Sequence, residues 1–145
     1  SGSVLNRLGE VLLVHILRHQ LERGAIEPSL LGGLSDDRLA RAIVAMHDTP
    51  GKIWSNSDLA AIAGMSISRF SDVFRQKVGA TPMGYLRAWR LTLAVQDLKS
   101  GERVERVGHR YGYASGEALS HAIRRELGVT PMSLRKSAVR ESVAT

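Results

Sequence analysis

The stretch WSNSDLAAIAGMSISRFSDVFRQK, residues 54–77, decides the fold. Ser55 and Asp58 stand at the spacing of a capping box, in which the serine hydroxyl accepts from the Asp58 N–H and the carboxylate reaches back. Leu59, Ile62 and Ala63 follow as a short apolar stripe, and Gly64 ends it where a left-handed backbone is cheapest. Met65 continues the turn, and Ser66 caps a second helix with Phe70, Val73 and Phe74 on its inner face. Two short helices joined by a tight glycine turn make a helix-turn-helix. That geometry leaves the second helix clear of the core, where a DNA major groove is wide enough to take it. An αα-hairpin that only packs would satisfy the same residues, so this stretch alone leaves both readings open.

On the C-terminal side, Gly79-Ala-Thr-Pro82 closes the second helix, with Thr81 as N-cap and Pro82 at the first position of the next. That helix runs to about Lys99, with Tyr85, Leu86, Trp89, Leu93, Val95 and Leu98 as buried candidates, and Ser100-Gly101 ends it. Its length suits a rod joining two subdomains.

The pattern then returns. Val104, Val107 and Tyr111 form a short stripe, Gly112-Tyr113 turns the chain, and Ser115 caps a helix through Leu119, Ala122, Ile123 and Leu127. Gly128-Val-Thr-Pro-Met132 repeats Gly79-Ala-Thr-Pro-Met83, and at the same offset Ser66 falls on Ser115, Phe70 on Leu119, Phe74 on Ile123 and Arg75 on Arg124. Two such units in one chain are far more specific than either alone. The second turn carries one extra residue, and Arg103 stands where Ser55 caps the first copy. A missing N-cap typically costs ~1 kcal/mol, so that helix start is expected to be held less firmly.

On the N-terminal side, Ser35 or Asp36 caps a helix with Leu39, Ala42, Ile43 and Met46 as its stripe, ended by His47-Asp-Thr-Pro-Gly51. Met46, Ile53 and Trp54 are expected to support the first motif from the core. Val4 to Arg23 reads as an amphipathic helix whose apolar arc from Val11 to Leu17 is too wide for one-sided burial. It calls for a second copy or a further domain. His15 and His19, one turn apart near Glu22, have no third strong ligand at motif spacing and read as surface histidines rather than a metal site. Gly24 to Gly33 reads as a linker, and from Lys136 onward the weak apolar pattern predicts a frayed tail.

Composition narrows the function. A net charge of +6 favours a polyanionic partner, and 43% hydrophobic residues suffice for a core. The chain has no cysteine, which removes disulfides, thiol catalysis and cysteine-ligated zinc and fits a reducing cytoplasm. No apolar run reaches membrane-spanning length. No catalytic constellation is evident, since His47-Asp48 are adjacent residues at a helix end, and nothing calls for a cofactor.

With both units in hand, the chain resembles the DNA-binding domain of the AraC/XylS family of bacterial transcription regulators. The resemblance is carried by Leu59-Ala60, Ala63-Gly64-Met65-Ser66, Phe70, Phe74, Gly79, Thr81-Pro82, Tyr85-Leu86 and Arg90. In the second copy it is carried by Val107, Gly112-Tyr113, Ser115, Leu119, Gly128, Thr130-Pro131 and Arg135. It implies an all-α, homeodomain-like fold of two helix-turn-helix subdomains joined by a long linker helix, preceded by the N-terminal helix. The expected organisation is helix and linker over 1–33, an AraC-type domain over 34–136 and a flexible tail over 137–145. Within the domain the first motif covers about 53–79, the linker helix about 82–99 and the second motif about 103–128. Val4 to Arg23 resembles the branch with a cupin-like N-terminal effector half, and the resemblance implies that this chain is a C-terminal piece. Implied partners are double-stranded DNA, RNA polymerase if the protein activates, and a second copy through residues 4–21. The resemblance favours an activator over a repressor, although the residues themselves do not distinguish them.

Outward positions of the second helix of each motif reach base edges. Here they are Ser68, Ser71, Asp72 and Arg75, then Glu117, Ser120, His121, Arg124 and Arg125. Arg75 and Arg124 could take guanine bidentately, or a phosphate. Asp72 stands where the family usually has a basic residue; it would repel phosphates but could accept from a cytosine amino group. Phosphate contacts are expected near Ser55 and Val104, at helix starts, and at Arg87, while the family pattern favours a structural role for Arg90. A rigid rod would set the two reading helices about 34 Å apart, one duplex turn, for an asymmetric site on the order of 20 base pairs. The rival reading is a protein-interaction module built on the apolar N-terminal helix, with weak non-specific DNA binding; salt separates the two.

Overall fold

In the computed structural model, which describes residues 33–34 and 36–144, the regular structure is helical. The expectations for Val4 to Arg23, including His15, His19 and Glu22, and for the linker up to Gly32 lie outside the described residues. The described helices are α1 (Asp37–Asp48), α2 (Asn56–Ala63), α3 (Ile67–Val78), α4 (Pro82–Lys99), α5 (Val104–Arg110), α6 (Gly116–Leu127) and α7 (Pro131–Ala144). They fall into two compact units. Of the described residues, the first holds those up to Thr49 and Trp54–Leu86; the second holds Pro50–Ile53 and those from Arg87 to Ala144.

Local chemistry sets the helix ends of the first unit. Asp36 caps α1 by accepting from the N–H groups of Arg38 and Leu39. The Ser55–Asp58 box starts α2, with both reciprocal bonds formed at 3.0 and 3.1 Å. Gly64 ends α2 at φ 70°, a left-handed conformation that any side chain would strain. Ser66 then caps α3. Leu39, Ile43 and Met46 of α1 pack with Leu59 of α2 and with Phe70 and Phe74 of α3, all fully buried. Truncating one such aromatic typically costs about 3–5 kcal/mol, so this apolar seam is what holds α3 in place.

The second unit repeats the plan with different reinforcement. Arg103 precedes α5 without a side-chain cap, as its residue type predicts, whereas Ser115 caps α6 through the Ala118 N–H. Its core joins Leu91, Ala94 and Leu98 of α4 to Val107, Tyr111, Leu119 and Ile123. Helices α5 and α6 cross closely because Gly108 is small: an added Cβ there would stand 3.0 Å from the Ser115 carbonyl oxygen. A polar lattice adds to this. The Arg110 guanidinium grips both Glu102 carboxylate oxygens at 2.5 and 2.6 Å and also donates to Asp97 at 2.6 Å. Tyr111 donates to the same Asp97 oxygen at 2.5 Å, and burial, then this bond, pushes its hydroxyl up to about 12.

Five sequence expectations differ from the structure. Ile53, expected in the core, is 88% exposed, on a loop whose carbonyls are held by Arg90. Leu127 is 48% exposed, although its repeat equivalent Val78 is buried with Gly33 packed on it. Gly33 is thus a packing residue rather than linker. In α4 apolar residues on more than one face obscured the phase: Leu91 and Ala94 are buried, while Leu93 and Val95 are only half-buried. The chain expected to fray from Lys136 instead continues as α7 to Ala144. Reciprocal Thr130–Ser133 bonds start that helix, Leu134 packs on the second core, and Arg135 donates to the Glu102 carbonyl oxygen. These anchors act through the first turns of α7, and the residues beyond are mostly good helix formers.

Candidate nucleic-acid interface

Burial of Phe70, Val73, Phe74 and Val78 turns the opposite face of α3 to solvent. Ser68, Asp72 and Arg75 are exposed there, and Ser71 is half-buried at the flank. In α6, burial of Leu119, Ala122 and Ile123 does the same for Glu117, His121, Arg124 and Arg125, all exposed. Each helix therefore brings its sequence-predicted residues onto one outer face. The two faces share a register, since Ser68 corresponds to Glu117, Asp72 to His121 and Arg75 to Arg124.

Several assignments change in detail. Ser120 is half-buried and its hydroxyl donates to the Gly116 carbonyl at 3.0 Å, which commits its proton to the helix backbone. Arg125 lies 3.4 Å from Glu126, an exposed pair of the kind worth little in water. Arg69 was not among the expected contacts. It is exposed beside Asp72, and its i−3 spacing from Asp72 is the sequence signal that marks it. Lys77 is engaged with Asp36 at 3.0 Å, and that bond is the main cause holding the Asp36 carboxyl down at about 2.

Among the expected phosphate contacts, Arg87 is exposed on α4. The Ser55 N–H is bonded to the Asp58 carboxylate and the Asp58 N–H to the Ser55 hydroxyl, so in the first turn of α2 the Asn56 and Ser57 N–H groups are the ones without an intrahelical acceptor. Val104 opens α5, where no side chain caps the first turn. Arg90 is structural: it donates to the carbonyls of Pro50 and Lys52, both at 2.6 Å, and burial lowers its pKa. Among the described residues no group of three or more His, Asp or Glu side chains could hold a metal ion, and no helix is long and apolar enough to cross a membrane.

The helix-turn-helix domain family matches residues 59–137, more than half of the chain and both motifs together. The chain belongs to the AraC/XylS helix-turn-helix family. Within this family it is 38% identical over 138 residues to an AraC-like transcription regulator of Streptomyces lividans, covering 94% of this chain and 45% of that protein. The chain thus spans about half the length of the curated relatives it matches. An AraC-type DNA-binding domain protein from Chromobacterium violaceum superposes with a TM-score of 0.66 at 27% identity, over 72% of this chain and 94% of that one. The DNA-binding domain of the global transcriptional factor AdpA, solved with a target DNA, gives a TM-score of 0.61 at 31% identity, over 68% and 89%. The AraC/XylS resemblance read from the residues is therefore matched in sequence and in fold.

Proposed function

We propose that this chain is the DNA-binding part of a cytoplasmic bacterial transcription regulator, and that it recognises a specific duplex sequence with α3 and α6. The observation that carries the reading is the repeated face: two capped helices with identical register, each exposing polar and basic residues above a buried apolar seam. DNA contacts are assigned to Ser68, Ser71, Asp72, Arg75, Glu117, His121, Arg124 and Arg125, with Arg75 and Arg124 placed to take phosphates and Ser120 as a flanking group. Arg87 and the first turns of α2 and α5, at Ser55 and Val104, take phosphates. Because Asp72 and His121 occupy equivalent places, the two elements of the site differ in sequence and the operator is asymmetric. The relatives' descriptions as transcription regulators and the AdpA complex with a target DNA support this reading.

Selection from a random duplex pool at moderate salt, followed by gel shift against scrambled DNA, tests it. An asymmetric motif with two elements, bound with a steep salt dependence, is the expected result. Binding to no duplex at any salt would overturn it in favour of a protein-interaction module. Activation rather than repression, with contact to RNA polymerase, follows the family resemblance and is read by a reporter placed behind the selected site. Dimerisation through residues 4–21 is read by sedimentation of the chain beside its Leu13→Glu variant.

A further inference from the structure

The outer face of α3 carries its charges in a definite order. Asp72 lies opposite the buried line of Phe70 and Phe74, and Arg69 and Arg75 are its neighbours three residues before and after. At 3.6 residues per turn, a step of three residues rotates about 60° short of a full turn, so the two arginines stand on either side of the carboxylate. All three side chains are exposed. Among the described residues, none of the salt bridges involves Asp72, Arg69 or Arg75.

A lone carboxylate in the middle of a face that meets a polyanion costs affinity unless the surface opposite supplies a donor. On the floor of a major groove the donors are exocyclic amino groups, and an acidic side chain matches the N4 amino group of cytosine. The groove walls are phosphates, which match guanidinium groups on either side. We propose that Asp72 is a specificity-determining residue: it accepts from a cytosine N4 amino group in the first element of the site, between phosphates held by Arg69 and Arg75. The proposal rests on the DNA-binding reading and adds to it the base that one helix selects. The second helix places His121 at the equivalent position, so a carboxylate at this register belongs to α3 alone.

The test compares the whole chain with its Asp72→Asn and Asp72→Ala variants, first in duplex selection and then in fluorescence anisotropy on the selected site. The wild type is expected to require one C·G pair in the first element and to bind roughly tenfold more weakly when that pair is exchanged. Asp72→Asn should move the preference at that pair towards adenine, whose N6 and N7 suit an amide. Asp72→Ala should bind all four pairs there within about twofold of one another. The preferences in the second element should be unchanged, which shows that the variants are folded. Two results would overturn the proposal while leaving DNA binding intact. In one, Asp72→Ala keeps the wild-type motif; in the other, it binds every sequence more tightly by the same factor, the mark of simple phosphate repulsion. Absence of duplex binding by the wild type would overturn both.

Discussion

Arg90 donates from Nε to the carbonyl oxygen of Pro50 at 2.6 Å, across 38 to 40 residues of chain, and its second nitrogen holds Lys52 in the same way. One half-buried guanidinium thus fixes the loop that enters the first motif against the helix that leaves it. Arg90→Ala strands two carbonyl groups and should destabilise the second unit by about 1.5–3 kcal/mol. Arg90→Lys should recover only part of this, because an ammonium lacks the planar fork. Urea unfolding of the three proteins checks it; full rescue by lysine would mean that charge, not geometry, holds the loop.

The two motifs differ at the start of their supporting helices. Ser55 completes a capping box, whereas Arg103 makes no side-chain cap. Ser55→Ala should therefore cost about 1 kcal/mol, and Arg103→Ser should add about 0.5–1 kcal/mol. Thermal unfolding reads both signs, and equal behaviour of the two sites would refute the assignment.

Asp36 links the cap of α1 to Lys77 at the end of α3. The Lys77 contact is the largest cause lowering its pKa to about 2, below the roughly 3.9 of an unfolded aspartate. A depressed carboxyl contributes stability that is full above the unfolded value and disappears as the pH falls through the folded one. Asp36→Asn keeps a good capping group but loses the charge. The stability gap between wild type and Asp36→Asn should be constant above about pH 5 and shrink between about pH 4 and 2. A gap that does not change with pH would show that the ion pair contributes nothing.

Arg124 is exposed on the outer face of α6 and, among the described residues, takes part in no salt bridge. If it meets a phosphate, Arg124→Ala should weaken binding uniformly across sequences and lower the slope of log K against log salt by about one. A changed motif with an unchanged slope would instead identify it as a base reader.

Much of this fold is decided within a few residues of chain. The capping box at Ser55, the caps at Ser66 and Ser115, and the left-handed ends at Gly64 and Gly128 depend only on hydrogen bonds and backbone sterics between near neighbours. They can therefore be read from residue types and spacing. The outer faces followed as well: once Phe70 and Leu119 are placed inside, helical geometry sends Asp72 and His121 outward.

Burial away from those periodic faces was a different matter. Ile53 has the residue type of a core position, yet it is exposed because a guanidinium 37 residues later holds its loop. Val78 and Leu127 are equivalent by sequence, but a glycine far up the chain covers only the first. Helix α7 persists where apolar periodicity is weak because its first turns are anchored by Leu134 in the second core and by Arg135 at Glu102. The repeat, its caps and its outer faces were determined by the sequence through local bonds; which apolar residues lie inside was decided by long-range packing, which local spacing does not encode.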